Sequence, residues 1–338
     1  MKNLKKVPFI LSILSLLTFI SPANAETKVV ASIKPIHSLA SYLMDGVSEP
    51  GLIVDGYASP HSFAMKPSHA KMLQEADLIF WVGEDMESFF EKPLKSIAKK
   101  AEKIELMEIK GLNKLKFRER NIFDDHDDHG HDDEHKEDGH DDHGHDDEHK
   151  EDGHDDEHKE DGHDDHEGHA HGEYDTHIWL DPSNAKVILK EMAEHLIEKD
   201  QKNTSIYKSN LKKALKELDK LTKDVKSDLN KEFKSIVFHD AYQYFEKRFD
   251  INVMGAFTVN PDVMPGAEQL AEIREIIEHD KVSCVFSEPQ FNPDIINAVV
   301  KDMNISTGVL DPLGATLNPG KDLYFDLISN MSKSFKGC

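Results

Sequence analysis

Residues 124–171 cannot contribute to a hydrophobic core, and that one run dictates how the rest of the chain must fold. It holds 24 Asp/Glu, 14 His and 3 Lys, and its only apolar side chain is Ala170. The nonapeptide HDDEHKEDG recurs verbatim from His131, His145 and His154. Such a segment buries too little surface to offset the entropy of ordering it, so it is expected to be a disordered surface loop. It lacks the paired glycines and periodic apolar position of a calcium β-helix repeat. The fold must therefore come from the two flanks.

The tract also dominates the charge. The chain of 338 residues carries a formal net charge of −24, of which −21 lies within 124–171. The remaining body is close to neutral. Without a basic face to displace counterions, nucleic-acid binding is excluded as a working function.

Met1–Ala25 reads as a secretory signal peptide. Lys2, Lys5 and Lys6 form a positive start, Phe9–Ile20 is a 12-residue apolar run, and Ala23-Asn24-Ala25 is an A-x-A cleavage site. A membrane-spanning helix needs about 20 apolar residues, so stable membrane insertion is not expected. The mature chain should begin near Glu26, outside the cytoplasm. In that compartment the two cysteines, Cys284 and Cys338, are read either as a disulfide or as one buried and one terminal thiol.

Both flanks alternate short apolar runs with amphipathic segments, the pattern of βα units around mainly parallel sheets. Before the tract, strands are expected at Lys28–Ile33, Leu52–Val54, Leu78–Val82 and Lys103–Leu106. Helices are expected near Ile36–Met44, from Pro67, and over Met86–Lys100. After it, His177-Ile178-Trp179-Leu180 reads as a strand, and Asp181-Pro182 as the N-cap and first residue of a helix reaching Lys199. A long helix follows over 203–233, with Ile206, Leu211, Leu215, Leu218, Leu221, Val225 and Leu229 as its apolar positions. It is either half of a coiled coil or a spine between lobes. Strands at Ser235–Phe238, Asn252–Phe257, Val282–Phe286 and 306–310 alternate with helices at Ala241–Arg248, Ala267–His279, 293–302 and 321–335. The fold class is thus α/β, with two Rossmann-like lobes (26–200, including the loop 124–171, and 234–338) joined by a long backbone helix. Ligands in such folds sit beyond the carboxyl ends of strands, here the inter-lobe cleft.

Seven histidines lie outside the tract. His61 follows Pro60 in a loop after a strand, His177 leads the HIWL segment, and His239 ends the strand IVFH. Strand ends facing one cleft are where a metal site is built, and imidazole is the usual zinc ligand. His195 and His279 are read as structural partners of helix ends, His69 as solvated, and His37 as a residue supporting the site. Catalysis has no positive signal: H-E-x-x-H, G-x-S-x-G and a glycine-rich phosphate loop are absent. The tract histidines, His126, His129, His131, His135, His140, His143, His145, His149, His154, His158, His163, His166, His169 and His171, are read as an auxiliary metal-handling loop, weaker than a preformed site.

The chain also resembles a known family, the periplasmic solute-binding proteins of high-affinity zinc-uptake ABC transporters. The resemblance is carried by Ala31-Ser32-Ile33-Lys34-Pro35, Ala58-Ser59-Pro60-His61 with Lys66-Pro67-Ser68, His177-Ile178-Trp179-Leu180-Asp181-Pro182, Phe238-His239-Asp240-Ala241-Tyr242, Cys284-Val285-Phe286-Ser287-Glu288-Pro289-Gln290-Phe291 and Leu310-Asp311-Pro312-Leu313-Gly314. It implies a Zn2+ ion held between the lobes by His61, His177 and His239, with Asp311 or a water in fourth place. It further implies a Cys284–Cys338 disulfide, a periplasmic monomer that is not an enzyme, and a membrane permease as partner. A manganese or other divalent-metal carrier of the same fold, a zinc hydrolase, and a metal buffer or adhesin are the alternatives.

Overall fold

The computed structural model describes residues 26–118, 121–122, 172–229, 233–261 and 263–338. The signal segment and the tract 124–171 lie outside them. Two four-stranded parallel sheets organise the described residues. The first contains β1 (Val29–Ile33), β2 (Gly51–Val54), β3 (Leu78–Trp81) and β4 (Glu102–Glu105), with α1 (Lys34–Met44), α2 (Pro67–Glu75) and α3 (Ser88–Ser96) between them. Its strand order is β2-β1-β3-β4. The second contains β5 (Lys234–His239), β6 (Asn252–Thr258), β7 (Cys284–Ser287) and β8 (Ser306–Val309), interleaved with α6 (Gln243–Phe249), α7 (Ala267–His279) and α8 (Asp294–Val300). It repeats the same order, β6-β5-β7-β8. Each sheet therefore has a switch point beside its first strand, where consecutive connections leave in opposite directions.

The two sheets are linked by α4 (Pro182–Lys199) and α5 (Thr204–Asp228), and the chain ends in α9 (Leu323–Gly337). The N-cap of α4 is Asp181, whose carboxylate accepts from the Ser183 N–H, and Pro182 opens the helix. Arg248 grips the same carboxylate with two bonds of 2.6 Å. The long helix is a spine: α5 packs on α1, α4 and α9. Its buried seam is Tyr207, Asn210, Ala214, Leu218 and Val225, flanked by half-buried Ile206, Leu211, Leu215 and Leu221. It ends at Asp228, short of the expected Phe233, where Leu229 turns extended.

The apolar residues of β5 divide between two clusters by the period-two rule of a strand. Ile236 and Phe238 face α7 and α8, whereas Val237 joins a larger cluster that also holds Ile33, Phe80, Trp179, Leu218, Tyr244, Phe286 and Phe335. That larger core is continuous from the first sheet to the second. Cys284 and Cys338 are bonded, which fastens the end of α9 to β7. No helix of the described residues is long and apolar enough to cross a membrane.

Besides the end of α5, the HIWL segment and α3 differ from expectation. The HIWL segment is not a strand: Ile178–Leu180 forms a single 3-10 turn, with Leu180 N–H bonded to the His177 carbonyl at 3.1 Å. Three consecutive buried apolar residues, Ile178, Trp179 and Leu180, fit either geometry. Here the neighbouring Asp175 takes the His177 N–H at 2.9 Å and starts a turn. Helix α3 begins at Ser88 rather than Met86, because Glu87 folds back to accept from the Val82 and Gly83 N–H groups at 2.8 and 3.3 Å.

Candidate metal centre

Three sequence-distant segments bring imidazoles together. His61 stands on the loop after β2, His177 precedes the 3-10 turn, and His239 is the last residue of β5. One ring nitrogen from each lies within 4.8 Å of the other two. This is the one group of three or more potential metal ligands meeting that spacing among the described residues. His177 and His239 are buried, at 6% and 3% exposure, and His61 is half-buried.

The Nε2 atoms of His177 and His239 face each other at 3.4 Å. Their other nitrogens are already engaged: His177 Nδ1 meets Asp175 Oδ1 at 2.8 Å, and His239 Nδ1 meets Glu288 Oε1 at 2.7 Å. With the carboxylates ionised they only accept, so each Nδ1 carries the hydrogen and each Nε2 of a neutral ring presents a lone pair. Burial pushes the Asp175 carboxyl up to about 7, so this arrangement belongs to pH values above that. Two acceptors at that distance repel unless a cation or a proton lies between them. A tetrahedral ion with about 2.0–2.1 Å Zn–N bonds has ligand–ligand edges of about 3.3–3.4 Å. The observed separation is that of a tetrahedral edge. Carboxylate partners of this kind fix the tautomer and raise the basicity of a ligating ring.

Electrostatics splits the pair. Burial, together with the neighbouring His239, holds His177 well below the ordinary imidazole range. His239 is raised: burial alone would lower it, but the charge and hydrogen bond of Glu288, with Asp240 and Asp175 nearby, outweigh that. Glu288 directly follows β7, so the His239–Glu288 pair occupies the switch point of the second sheet between β5 and β7. Around the imidazoles the walls are Ser59, Pro60, Trp179, Gln290, Phe291, Pro312 and Leu313. The Trp179 ring packs on His177 at 5.3 Å, and its Nε1–H donates to the Pro312 carbonyl at 2.8 Å.

The structure does not bring Asp311 into this group. Its carboxylate accepts from Gln290 Nε2 at 3.1 Å and from the Thr316 N–H and hydroxyl at 3.2 and 3.3 Å. The residue before His61 is Pro60, which has no ligating side chain. Other histidines serve locally. His37 bonds the Pro50 carbonyl at 3.0 Å and so does not support the site. His69 is no simple solvated residue: its Nδ1 accepts from the Lys66 N–H at 3.2 Å and caps α2. His195 pairs with Glu102 at 2.7 Å, and His279 closes α7. The fourteen tract histidines lie outside the described residues. Sequence reasoning missed Asp175 and Glu288; both lie close to recognised segments, Asp175 two residues before His177 and Glu288 inside the Cys284–Phe291 motif.

Comparison with known proteins agrees with this architecture. The family model ZnuA, zinc-uptake complex component A periplasmic, matches residues 29–338. The high-affinity zinc uptake system protein ZnuA of Brucella abortus (strain 2308) is 44% identical over 340 residues, covering 100% of this chain and 99% of that protein. A crystal structure of a ZnuA deletion mutant with zinc bound superposes with a TM-score of 0.68 at 19% identity, covering 92% of this chain and 97% of the other. The structure of a manganese-bound periplasmic metal binding protein from Candidatus Liberibacter asiaticus gives a TM-score of 0.66 at 16% identity, covering 92% and 99%. At those identities the two structures speak to the fold alone, two α/β lobes of this kind. The match of the family model across nearly the whole chain, with the 44% identical relative beside it, places the chain in the ZnuA family of periplasmic zinc-uptake components.

Proposed function

We propose that this chain captures Zn2+ outside the cytoplasm and hands it to the membrane permease of an ABC-type zinc importer. The single observation that carries the reading is the 3.4 Å separation of two Nε2 lone pairs, a tetrahedral edge prepared on two buried, carboxylate-oriented imidazoles. Zinc is cargo here, not a reagent. His61, His177 and His239 supply three neutral nitrogen donors, and water completes the shell where Asp311 stays on Gln290 and Thr316. An all-imidazole donor set suits zinc, whereas manganese favours oxygen ligands.

Capture uses what the residues already do. Asp175 and Glu288 hold both buried rings in the tautomer that leaves Nε2 open, so little reordering accompanies binding. The apolar walls of Trp179, Phe291 and Leu313 limit water around the ion. Release requires that an imidazole be protonated or withdrawn, and docking on the permease would supply the second route. The N-terminal segment 1–25 directs export to the periplasm, and the mature protein acts as a monomer. The tract 124–171 is an auxiliary, weaker store of metal.

The test is equilibrium zinc binding to the mature protein and to His61→Ala, His177→Ala and His239→Ala. Each substitution should abolish the tight site. A catalytic metal centre would instead reveal itself by turnover of ester or peptide substrates by the zinc-loaded protein, lost in the same variants.

A further inference from the structure

The segment that precedes the tract is bonded to residues beside both buried histidines, Asp175 near His177 and Asp240 next to His239. On one side the Leu115 carbonyl accepts from the Asp175 N–H at 2.9 Å, and the Phe117 N–H donates to the Glu173 carbonyl at 3.1 Å. On the other side the Leu115 N–H donates to the Tyr244 hydroxyl at 3.1 Å, which in turn donates to the Asp175 carbonyl at 2.7 Å. Arg118 then forks into two acids of the second half. Its guanidinium donates to Asp240 Oδ1 at 2.9 Å and to Glu246 Oε2 and Oε1 at 2.8 and 3.3 Å. Asp240 and Glu246 are 2% and 6% exposed. Finally Asn121 reaches β6: its carbonyl accepts from the Ala256 N–H at 2.7 Å, its side-chain amide donates to the Phe257 carbonyl at 2.8 Å, and Ile122 forms an antiparallel bridge with Gly255.

We infer that the described residues of 115–122 form a strap between the lobes and that Arg118 is its positioning residue, fixing how closely His239 approaches His177 and thereby the affinity and geometry of the metal centre. The inference rests on the zinc-carrier reading above. Asp175 is two residues before His177 and orients its ring; Asp240 directly follows His239. One segment bonded to both sets the gap between two nitrogens that repel each other unless a cation or a proton lies between them. Neither attachment tolerates a conservative change. Only the planar guanidinium fork serves two carboxylates at once, while lysine offers a single point charge. At Gly255 an added Cβ would lie 2.6 Å from the Asn121 carbonyl oxygen, so even alanine must push the strap away from β6.

The experiment compares wild type, Arg118→Lys, Arg118→Met and Gly255→Ala in the full mature chain. It measures zinc affinity by chelator competition and the visible absorption of the Co2+ form. Changes in the support of a metal ligand typically weaken binding about 10–100-fold. That range is expected for Arg118→Met, with a smaller loss for Arg118→Lys. Gly255→Ala should weaken binding too, although it leaves every ion pair intact. The intense tetrahedral Co2+ bands should weaken in all three. If the variants melt lower without metal but keep wild-type zinc affinity and cobalt spectrum, the strap is merely structural and the inference is wrong. Should Arg118→Met not fold, Arg118→Lys and Gly255→Ala still decide. Failure of the wild-type protein itself to bind zinc through His239 would overturn the carrier reading, a different outcome from unchanged variants.

Discussion

Asp175 and Glu288 decide which nitrogen each buried imidazole offers, and they do so without touching the space where an ion would sit. Replacing either by its amide keeps the shape but removes the charge that stabilises a metal-bound ring. Glu288→Gln and Asp175→Asn should each lower zinc affinity about 10–100-fold, read by competition with a chromogenic chelator. The split between the two histidines makes a second prediction. His239 is raised and His177 lowered, so in the metal-free site a proton enters on His239 and can be shared with His177 across 3.4 Å. Zinc must displace that proton. Binding should therefore release about one proton when the pH lies below the raised His239 value, and none well above it. Affinity should fall as acid is added through that range. Calorimetry in buffers of different ionisation enthalpy measures the count, and a pH-independent count of zero would contradict the assignment. Of this chemistry, His61, His177 and His239 could be singled out in the sequence as candidates, because each abuts a recognisable boundary and lies in a segment that carries the family resemblance. The carboxylates were not, since the His239–Glu288 pairing joins residues 49 positions apart and only the packing of β5 beside β7 brings them together.

At the scale of elements, the alternation of strands and helices was readable from apolar periodicity almost throughout, because buried parallel strands and amphipathic helices have different repeats. The HIWL segment escaped that logic: it is too short to show a period, and a local Asp turn claims it. The spine helix spans Thr204–Asp228 where 203–233 was expected, and its buried seam differs from the expected apolar positions. Tyr207, Asn210 and Ala214 are buried in place of Ile206, Leu211 and Leu215, with the Tyr207 hydroxyl satisfied by donating to Asp200 Oδ2 at 2.7 Å. Asn210 even donates to the carbonyls of Leu43 and Asp45, both at 2.9 Å, tying α5 to the end of α1. The most consequential element contact is covalent. The Cys284–Cys338 bond closes a loop with a sequence separation of 54 residues and secures α9, whose Phe335 ring stacks on Phe245 at 5.6 Å. Removing it with Cys338→Ser should cost about 2–4 kcal/mol in urea unfolding, with little change in zinc affinity, because neither cysteine reaches the imidazoles. A loss of zinc binding without a loss of stability would reverse that view.

Across the whole molecule the two sheets are tied far more firmly than a hinge would permit. Lys34, 4% exposed at the start of α1, donates to the carbonyls of Gly314, Ala315 and Leu317 in the second half at 3.3, 3.0 and 3.0 Å. The Tyr324 hydroxyl donates to the Trp179 carbonyl at 2.7 Å, and the Tyr324 N–H to Ser38 Oγ at 2.9 Å. With one core running through both sheets, large opening would break buried hydrogen bonds that have no replacement. Small-angle scattering should accordingly show the same radius of gyration with and without zinc. Lys34→Met, which frees three carbonyls, should loosen the molecule and show a larger difference between the two states. On the proposed carrier reading, such stiffness would place the work of release on the membrane partner rather than on spontaneous opening. It also separates the cleft, whose two buried imidazoles are held by Asp175 and Glu288, from the acidic tract, which its sequence marks only as an auxiliary metal-handling loop. Zinc titration calorimetry on the mature protein, on a variant lacking 124–171 and on His239→Ala tests that division most directly. One tight site should survive the deletion and vanish in His239→Ala. Tight binding that disappears with the tract and ignores His239 would contradict the account.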